Sequence, residues 1–206
     1  MILGGLSIAE RSPFFHVRAF SRNLLCSRKD QPMRMTSSLP LILAGAAALG
    51  ACATPTDAPS TAQSTPLFGS SGQPIGTVRM WETPGAVSFR VEGNGLSVGQ
   101  HGIHVHAVGR CDAPAFTTAG SHWNPASRKH GLSNPQGPHA GDLPNVPVAA
   151  NGTLRETVVL TGASLSALRD ADGSALVLHA AADDNVTDPS GNSGDRVACA
   201  VLSPAG

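Results

Sequence analysis

The sequence is poor in aromatic side chains, in basic patches and in long hydrophobic runs, and each shortage excludes a class of protein. Aromatic residues make up 4% of the 206 residues, whereas there are 23 glycines. This composition suits short strands joined by long loops better than a helical bundle. Beyond residue 52 the chain carries eight basic and twelve acidic side chains, a net charge of −4. Nucleic acid is therefore excluded as a partner, because no basic surface remains for its phosphates.

The longest apolar run, Leu39 to Leu49, has 11 residues and cannot cross a bilayer, which requires about 20. Arg34 precedes the run and small residues follow it, which is the layout of a secretory signal peptide over residues 33–52. The run ends in Leu49-Gly50-Ala51-Cys52, which resembles the bacterial lipobox, whose cysteine is lipidated and becomes the mature N-terminus. The alternative is an ordinary signal peptide with an incidental cysteine.

These signals divide the chain into four parts. Residues 1–32 form an upstream extension without predicted structure, which we interpret as an over-long gene start, and residues 33–52 form the lipoprotein-type signal peptide. Residues 53–66 are rich in Ala, Pro, Ser and Thr and predict a flexible tether, and residues 67–206 form the domain. We therefore expect a lipoprotein of the periplasm or cell envelope that meets the membrane only through a lipid on Cys52.

The cysteine count is consistent with export. Of four cysteines, Cys26 lies in the leader and Cys52 is assigned to the lipid, which leaves Cys111 and Cys199. An even pair in an exported domain predicts a disulfide. The alternative is two buried thiols.

From about residue 67 the chain shows the signals of strands. Val87, Phe89 and Val91 alternate with polar residues, and the turn Thr83-Pro84-Gly85 joins this run to Thr77–Glu82 as a hairpin. One short helical turn is expected over Ser164–Leu168. Short strands with turn signals between them indicate an antiparallel sandwich or barrel. The further predicted strands are Gly102–Ala107, Thr153–Leu160, Ala175–Ala180 and Val197–Leu202.

Residues 108 to about 145 have neither a strand period nor a helix period. A loop of this length inside a compact domain indicates function or a mistaken assignment of elements. Because this stretch has no predicted strand pairing, other interactions must hold it in place. The candidates for these interactions are a bond at Cys111 and a metal site.

Seven of the eight histidines lie between residues 101 and 179. His104 and His106 stand two apart on a predicted strand, so both face one side while Ile103 and Val105 face the other. Two imidazoles on one face of a strand are already positioned to bind the same metal ion. The long loop and a later strand add the other candidate ligands: His122, His130, His139, Asp142 and His179.

Two donor sets can be counted. An imidazole-only set suits copper, and an imidazole set with one carboxylate suits zinc. The second set is one ligand short of four unless His122 is shared between both metals, which counting allows but does not prove. The first set is His104, His106, His122 and His179, and the second is His130, His139 and Asp142.

Six segments follow one another along the domain: HGIHVH (101–106), GSHWNP (120–125), RKHG (128–131), PHAGDLPNV (138–146), VLHAAADD (177–184) and GNSGDRVACAV (191–201). In this order they resemble the copper/zinc superoxide dismutases over residues 67–206. The resemblance implies an all-β fold, an eight-stranded Greek-key β-barrel or sandwich with two long functional loops. It also implies one copper and one zinc per subunit and the disproportionation of superoxide to oxygen and hydrogen peroxide, an antioxidant defence.

The resemblance also assigns roles to single residues. Arg196 matches the arginine that draws the substrate anion toward copper, and His122 matches the metal-bridging histidine that delivers a proton to the product. Asp183 matches the carboxylate that links a copper ligand to a zinc ligand, and outer carboxylates of this kind orient imidazoles. The resemblance implies copper on His104, His106, His122 and His179, zinc on His122, His130, His139 and Asp142, a disulfide between Cys111 and Cys199, and a structural role for His101.

The chain also departs from the family pattern. Its domain has one lysine, Lys129, so the lysines that usually guide the anion from the loop before Arg196 are absent. The stretch from Cys111 to His122 is longer than in common cytosolic members, and Trp123 stands where a smaller residue or Phe is common. The sequence does not settle whether the chain forms a homodimer, because bacterial and eukaryotic members of the family form dimers through different surfaces.

The rival functions are a metal carrier and a structural domain with a vestigial site, but both predict that a metal ligand or the arginine is missing.

Overall fold

The computed structural model describes residues 58–59 and 61–206. Within these residues, nine antiparallel strands make up one sheet, and the long stretches between them are loops with two short 3-10 turns. No helix in this part of the chain is long and apolar enough to span a membrane. The strands are β1 Gln63–Gly69, β2 Pro74–Thr83, β3 Ala86–Gly93, β4 Gly99–His101, β5 Ile103–His106, β6 Val146–Val148, β7 Leu154–Thr161, β8 Ser174–His179 and β9 Arg196–Ser203.

The sheet curves into a nearly closed barrel with the order β4-β6-β7-β3-β2-β1-β9-β8-β5. Its two end strands, β4 and β5, are consecutive in the chain and are separated only by Gly102. β4 pairs with β6 and β5 pairs with β8, so one interrupted strand belongs to both ends of the sheet. If residues 99–106 are counted as one strand, the fold is the predicted eight-stranded Greek-key barrel.

The predicted hairpin is confirmed. β2 and β3 pair from Gly76↔Gly93 to Thr83↔Ala86, which leaves Pro84-Gly85 as a two-residue turn. Gly85 has a φ of +75°, a conformation that glycine adopts without a steric penalty. The apolar face of β3 was also predicted correctly, since Val87, Phe89 and Val91 are fully buried in the core. The remaining predicted strands correspond to β5, β7, β8 and β9.

The short strands were not predicted. β4 and β6 have three residues each, too few for a periodic signal. β1 begins at Gln63, so it includes the last four residues of the predicted tether; these lack large apolar side chains but pair through their backbone with β2. The predicted helical turn is a 3-10 turn at Ala167–Arg169. The predicted extension, signal peptide and lipidation site Cys52 lie outside the described residues.

The loop between β5 and β6 is held by a small hydrogen-bond network of its own. Val105 N–H donates to the carbonyl of Gly141 at 2.9 Å, Trp123 N–H donates to the carbonyl of Val105 at 2.8 Å, and Gly141 N–H donates to the carbonyl of Trp123 at 2.8 Å. A Cβ at position 141 would lie 2.3 Å from the carbonyl oxygen of Val105, so only glycine fits there. This network replaces the missing ladder and draws two segments of the loop onto β5.

Candidate metal centre

The strands supply three of the histidines. On β5, Ile103 and Val105 are buried in the barrel core, so the period of two turns His104 and His106 to the opposite face. β8 pairs with β5 and ends at His179, whose N–H donates to the carbonyl of Gly102 at 2.8 Å. Three imidazoles are thus fixed by regular backbone pairing.

The long loop supplies the others through its contacts with β5. Isolated bridges pair His104 with Asp142 and His106 with His122. The carboxylate and the imidazole are thereby placed beside the strand histidines although they lie 38 and 16 residues further along the chain. His130 and His139 complete the cluster from the same loop.

Four ring nitrogens form the first donor set. They are buried, they lie within 4.8 Å of one another, and none has a hydrogen-bond partner among the described residues. An unpaired buried polar atom costs about 1 to 3 kcal/mol, so four together indicate a metal-binding site. Four imidazole nitrogens suit copper. The atoms are His104 Nδ1, His106 Nε2, His122 Nε2 and His179 Nε2.

The opposite nitrogen of each strand ring is held in place. His104 Nε2 lies 2.7 Å from Asp183 Oδ2, His106 Nδ1 lies 2.9 Å from the carbonyl oxygen of Gly120, and His179 Nδ1 lies 3.2 Å from the carbonyl oxygen of Gly194. Such partners fix the tautomer and the orientation of a metal-binding imidazole. The free nitrogens therefore point together before any metal is bound.

The second donor set converges on Asp142. Its Oδ2 accepts hydrogen bonds from the backbone N–H groups of Gly131 at 2.9 Å and His139 at 3.0 Å. Its Oδ1 lies 3.0 Å from Nδ1 of His122, 3.0 Å from Nδ1 of His130 and 3.4 Å from Nδ1 of His139. One carboxylate oxygen and three imidazole nitrogens therefore face one point.

The spacing of this set suits zinc. Ligand bonds of about 2.0 to 2.2 Å place the donor atoms of a tetrahedral zinc site about 3.3 to 3.6 Å apart, and the contacts above run from 3.0 to 3.4 Å. His104 also has a nitrogen within 4.8 Å of this group. Its Nε2, however, is engaged by Asp183 and its Nδ1 belongs to the first set. His122 has one nitrogen in each set.

Asp183 contacts one ring from each set. Its carboxylate lies 2.7 Å from His104 Nε2 and 3.0 Å from His130 Nε2. Asn145 holds the backbone of Asp183 at both polar atoms, each at 2.8 Å. Gly191, with a φ of +62°, closes over the carboxylate at a place where any Cβ would overlap Oδ1.

Burial controls the protonation of the three strand histidines. It lowers the pKa of His104 to about 4 and that of His179 to about 3, and it holds the pKa of His106 well below its usual range. These imidazoles are neutral at pH 7, which is the form that binds metal. His130 differs, because hydrogen bonds with Asp142 and Asp183 outweigh burial and raise its pKa to about 9. A metal that binds His130 must displace a proton.

Arg196 opens β9 and is half-buried. Its two terminal nitrogens donate to the carbonyls of Phe116 and Gly120, both at 2.7 Å. Gly120 also accepts from His106, so one carbonyl oxygen joins the guanidinium to a ring of the first set. The positive charge of Arg196 adds to the effect of burial in lowering the pKa of His106.

The predicted disulfide is present. Cys111 and Cys199 are bonded across 88 residues of sequence, with their Cα atoms 5.7 Å apart. Cys199 is fully buried with Phe116 and Val177 in a second, smaller core. The disulfide thus ties the loop segment that carries the acceptors of Arg196 to the strand that carries Arg196 itself.

A family model described as copper/zinc superoxide dismutase matches residues 75–202. The chain belongs to the copper/zinc superoxide dismutase family. The matched range contains both donor sets, Asp183, Arg196 and the disulfide.

Relatives and solved structures agree with this membership. The chain is 41% identical over 138 residues to a Cu-Zn superoxide dismutase of Caulobacter vibrioides, covering 64% of this chain and 79% of that protein. It is 37% identical over 142 residues to Cu-Zn superoxide dismutase 1 of Aquifex aeolicus, covering 66% and 84%. A structure of the Cu/Zn superoxide dismutase of Brucella abortus aligns with a TM-score of 0.59 at 29% identity, covering 68% of this chain and 99% of that one.

Three residues around the site were missed from the sequence. The carbonyls of Phe116 and Gly120 receive Arg196, but a backbone acceptor leaves no signal in residue type. Asn145 lies within the PHAGDLPNV segment and could have been noticed as a polar residue directly before β6.

His101, predicted to be structural, is in neither donor set. Its ring nitrogens lie 2.7 Å from the carbonyl oxygen of His179 and 2.8 Å from that of Ser97.

Proposed function

We propose that this chain is an exported superoxide dismutase that converts two superoxide anions and two protons into oxygen and hydrogen peroxide. The observation that carries the proposal is the set of four buried ring nitrogens without hydrogen-bond partners among the described residues. A vestigial domain would not keep four such atoms buried and oriented, because each costs about 1 to 3 kcal/mol when unpaired.

The two donor sets divide between copper and zinc by their chemistry. Copper takes the imidazole-only set, His104, His106, His122 and His179. Zinc takes the set with the carboxylate, His122, His130, His139 and Asp142. When bound, copper supplies the change of oxidation state that the reaction needs, and zinc has no redox chemistry and supplies charge and structure.

His122 is suited to move a proton at Nε2. Its Nδ1 belongs to the zinc set and stays close to Asp142, whereas its Nε2 is buried without a partner among the described residues. A ring held at one nitrogen can take a proton at the other when that atom is not ligated. We infer that this proton goes to the product peroxide.

Arg196 is suited to attract and orient the substrate anion. Both of its terminal nitrogens are fixed on carbonyls, so the position of the charge does not depend on a flexible side chain. The net charge of −4 beyond residue 52 and the single lysine there mean that attraction must be local. A positive group beside a cleft can raise association rates by about 10- to 1,000-fold.

Metal analysis coupled to a dismutase assay tests the proposal on protein that starts at Ala53. We expect one copper and one zinc per chain, with activity that disappears when a chelator removes copper and returns when copper is added back. Bound copper and zinc without activity would indicate a metal carrier instead. Failure to bind copper would contradict the assignment of the first donor set.

We also propose that the protein is anchored by a lipid on Cys52 in the periplasm or cell envelope. The lipobox-like sequence before Cys52 supports this, and the Cys111–Cys199 disulfide is consistent with an oxidising compartment. Cys52→Ser is expected to abolish fatty-acid labelling and move the protein from the membrane fraction to the soluble fraction, with unchanged specific activity. Labelling that persists in this variant would contradict the anchor. A homodimer stays a prediction.

A further inference from the structure

Asp188 is a carboxylate near the zinc set that belongs to neither donor set. It lies in the loop between β8 and β9. Its Oδ1 accepts a hydrogen bond from the backbone N–H of His130 at 2.8 Å, and its Oδ2 accepts one from Lys129 Nζ at 2.8 Å. Its Oδ1 also lies 3.9 Å from Nε2 of His139. One side chain therefore contacts or approaches two of the proposed zinc ligands.

Asp188 and Asp183 hold His130 from two directions. Asp183 contacts the ring at Nε2, and Asp188 contacts the backbone N–H of the same residue. At His139, the Nδ1 atom belongs to the donor set, and the opposite nitrogen faces Asp188. The 3.9 Å separation is too long for a hydrogen bond, so Asp188 acts on this ring through the negative charge of its carboxylate, which raises the basicity of a nearby imidazole.

The exposed ion pair does not explain these contacts. The side chains of Lys129 and Asp188 are 56% and 39% exposed, and an ion pair this exposed to solvent contributes little to stability. A solvent-exposed depression that Lys129, Asp188 and Pro189 border also reaches His122 and His139. Asp188 thus stands where the zinc set meets solvent.

We propose that Asp188 is a positioning residue of the zinc site, which holds His130 by its backbone N–H and faces the solvent-side nitrogen of His139 with its negative charge. The inference rests on the proposed zinc site. It assigns to the loop between β8 and β9 a second carboxylate for zinc, in addition to Asp183, which links both donor sets. Asp188 is expected to affect the retention of zinc and not the stability of the metal-free fold.

Transfer of zinc from the copper- and zinc-loaded protein to a chromogenic chelator tests the role. Asp188→Ala is expected to weaken zinc retention by about 10- to 100-fold, the range for loss of an outer carboxylate. Asp188→Asn keeps an acceptor for the His130 N–H and should fall between Asp188→Ala and the unaltered protein. Lys129→Met removes only the ion pair and should change retention by less than about fivefold.

Asp112→Asn is the matched control, because Asp112 is also an exposed aspartate in an ion pair, with Arg110 at 3.2 Å. It should leave zinc retention unchanged. The unfolding midpoint of the metal-free protein separates positioning from structure, and it should be the same for Asp188→Ala as for the unaltered chain. A metal-free fold destabilised in proportion to the loss of zinc would overturn the inference.

Three other results decide the matter. Zinc retention in Asp188→Ala within twofold of the unaltered protein would overturn the inference, and so would an effect of Lys129→Met as large as that of Asp188→Ala. Failure of the unaltered protein to bind zinc would instead overturn the proposed zinc site itself. The failure of Asp188 and the failure of the proposed function are therefore distinguishable.

Discussion

Replacing Arg196 by alanine is expected to lower the second-order rate constant for superoxide by about 10- to 1,000-fold at low ionic strength. The charge of Arg196 is fixed by two carbonyl contacts of 2.7 Å and lies one carbonyl away from His106. None of the copper ligands is changed, so copper should stay bound. Rate constants measured by pulse radiolysis over a series of salt concentrations, with copper content determined on the same samples, check the prediction.

The salt dependence separates attraction from structure. The unaltered enzyme should slow as salt increases, because screening weakens the attraction, and Arg196→Ala should respond less. Arg196→Lys keeps the charge without the planar two-point contact and should retain part of the rate. Arg155→Ala, which removes the same charge from β7, is the control. An undiminished rate constant for Arg196→Ala at low ionic strength would remove Arg196 from the mechanism.

Removing the disulfide is expected to destabilise the metal-free domain by about 4 to 5 kcal/mol. The bond closes a loop of 88 residues. In the chain-entropy model the bond lowers the conformational entropy of the unfolded chain, so without it folding loses more entropy. The double variant Cys111→Ala/Cys199→Ala avoids a buried hydroxyl at position 199. Urea unfolding of the metal-free protein measures the loss, and the melting temperature should drop by about 10 to 20 °C.

The same variant should also lose activity when it is folded and loaded with copper. The loop segment around Phe116 and Gly120 receives Arg196, and the disulfide ties that segment to β9. Reduction of the unaltered protein with a thiol is the comparison and should give the same destabilisation. A loss below about 1 kcal/mol would contradict the account, because the closure of so long a loop would then contribute almost nothing.

The parts of the site that could be predicted are those with a local signal. His104 and His106 could be placed on one face because a strand has a period of two, and Val87, Phe89 and Val91 were placed in the core for the same reason. The assignment of the loop ligands depended on the family resemblance. Spacing alone did not bring His122 or Asp142 to β5.

The parts that could not be predicted depend on tertiary contacts. β4 and β6 are three residues long, and their strand geometry comes from neighbours that pair with them. The hydrogen-bond acceptors that hold Arg196 are two backbone carbonyls, and any residue type supplies a carbonyl. Asp188 has the appearance of an ordinary exposed loop acid until the fold brings it to His130.

The loop network on β5 has a consequence for the metal-free protein. On one side β5 pairs with β8, and on the other the polar groups of Val105 are paired with Trp123 and Gly141. An uncovered strand edge is a template on which a second chain can add. The loop that carries the metal ligands therefore also covers the edge of β5. Conditions that detach this loop expose a strand edge on which copies of the protein can aggregate.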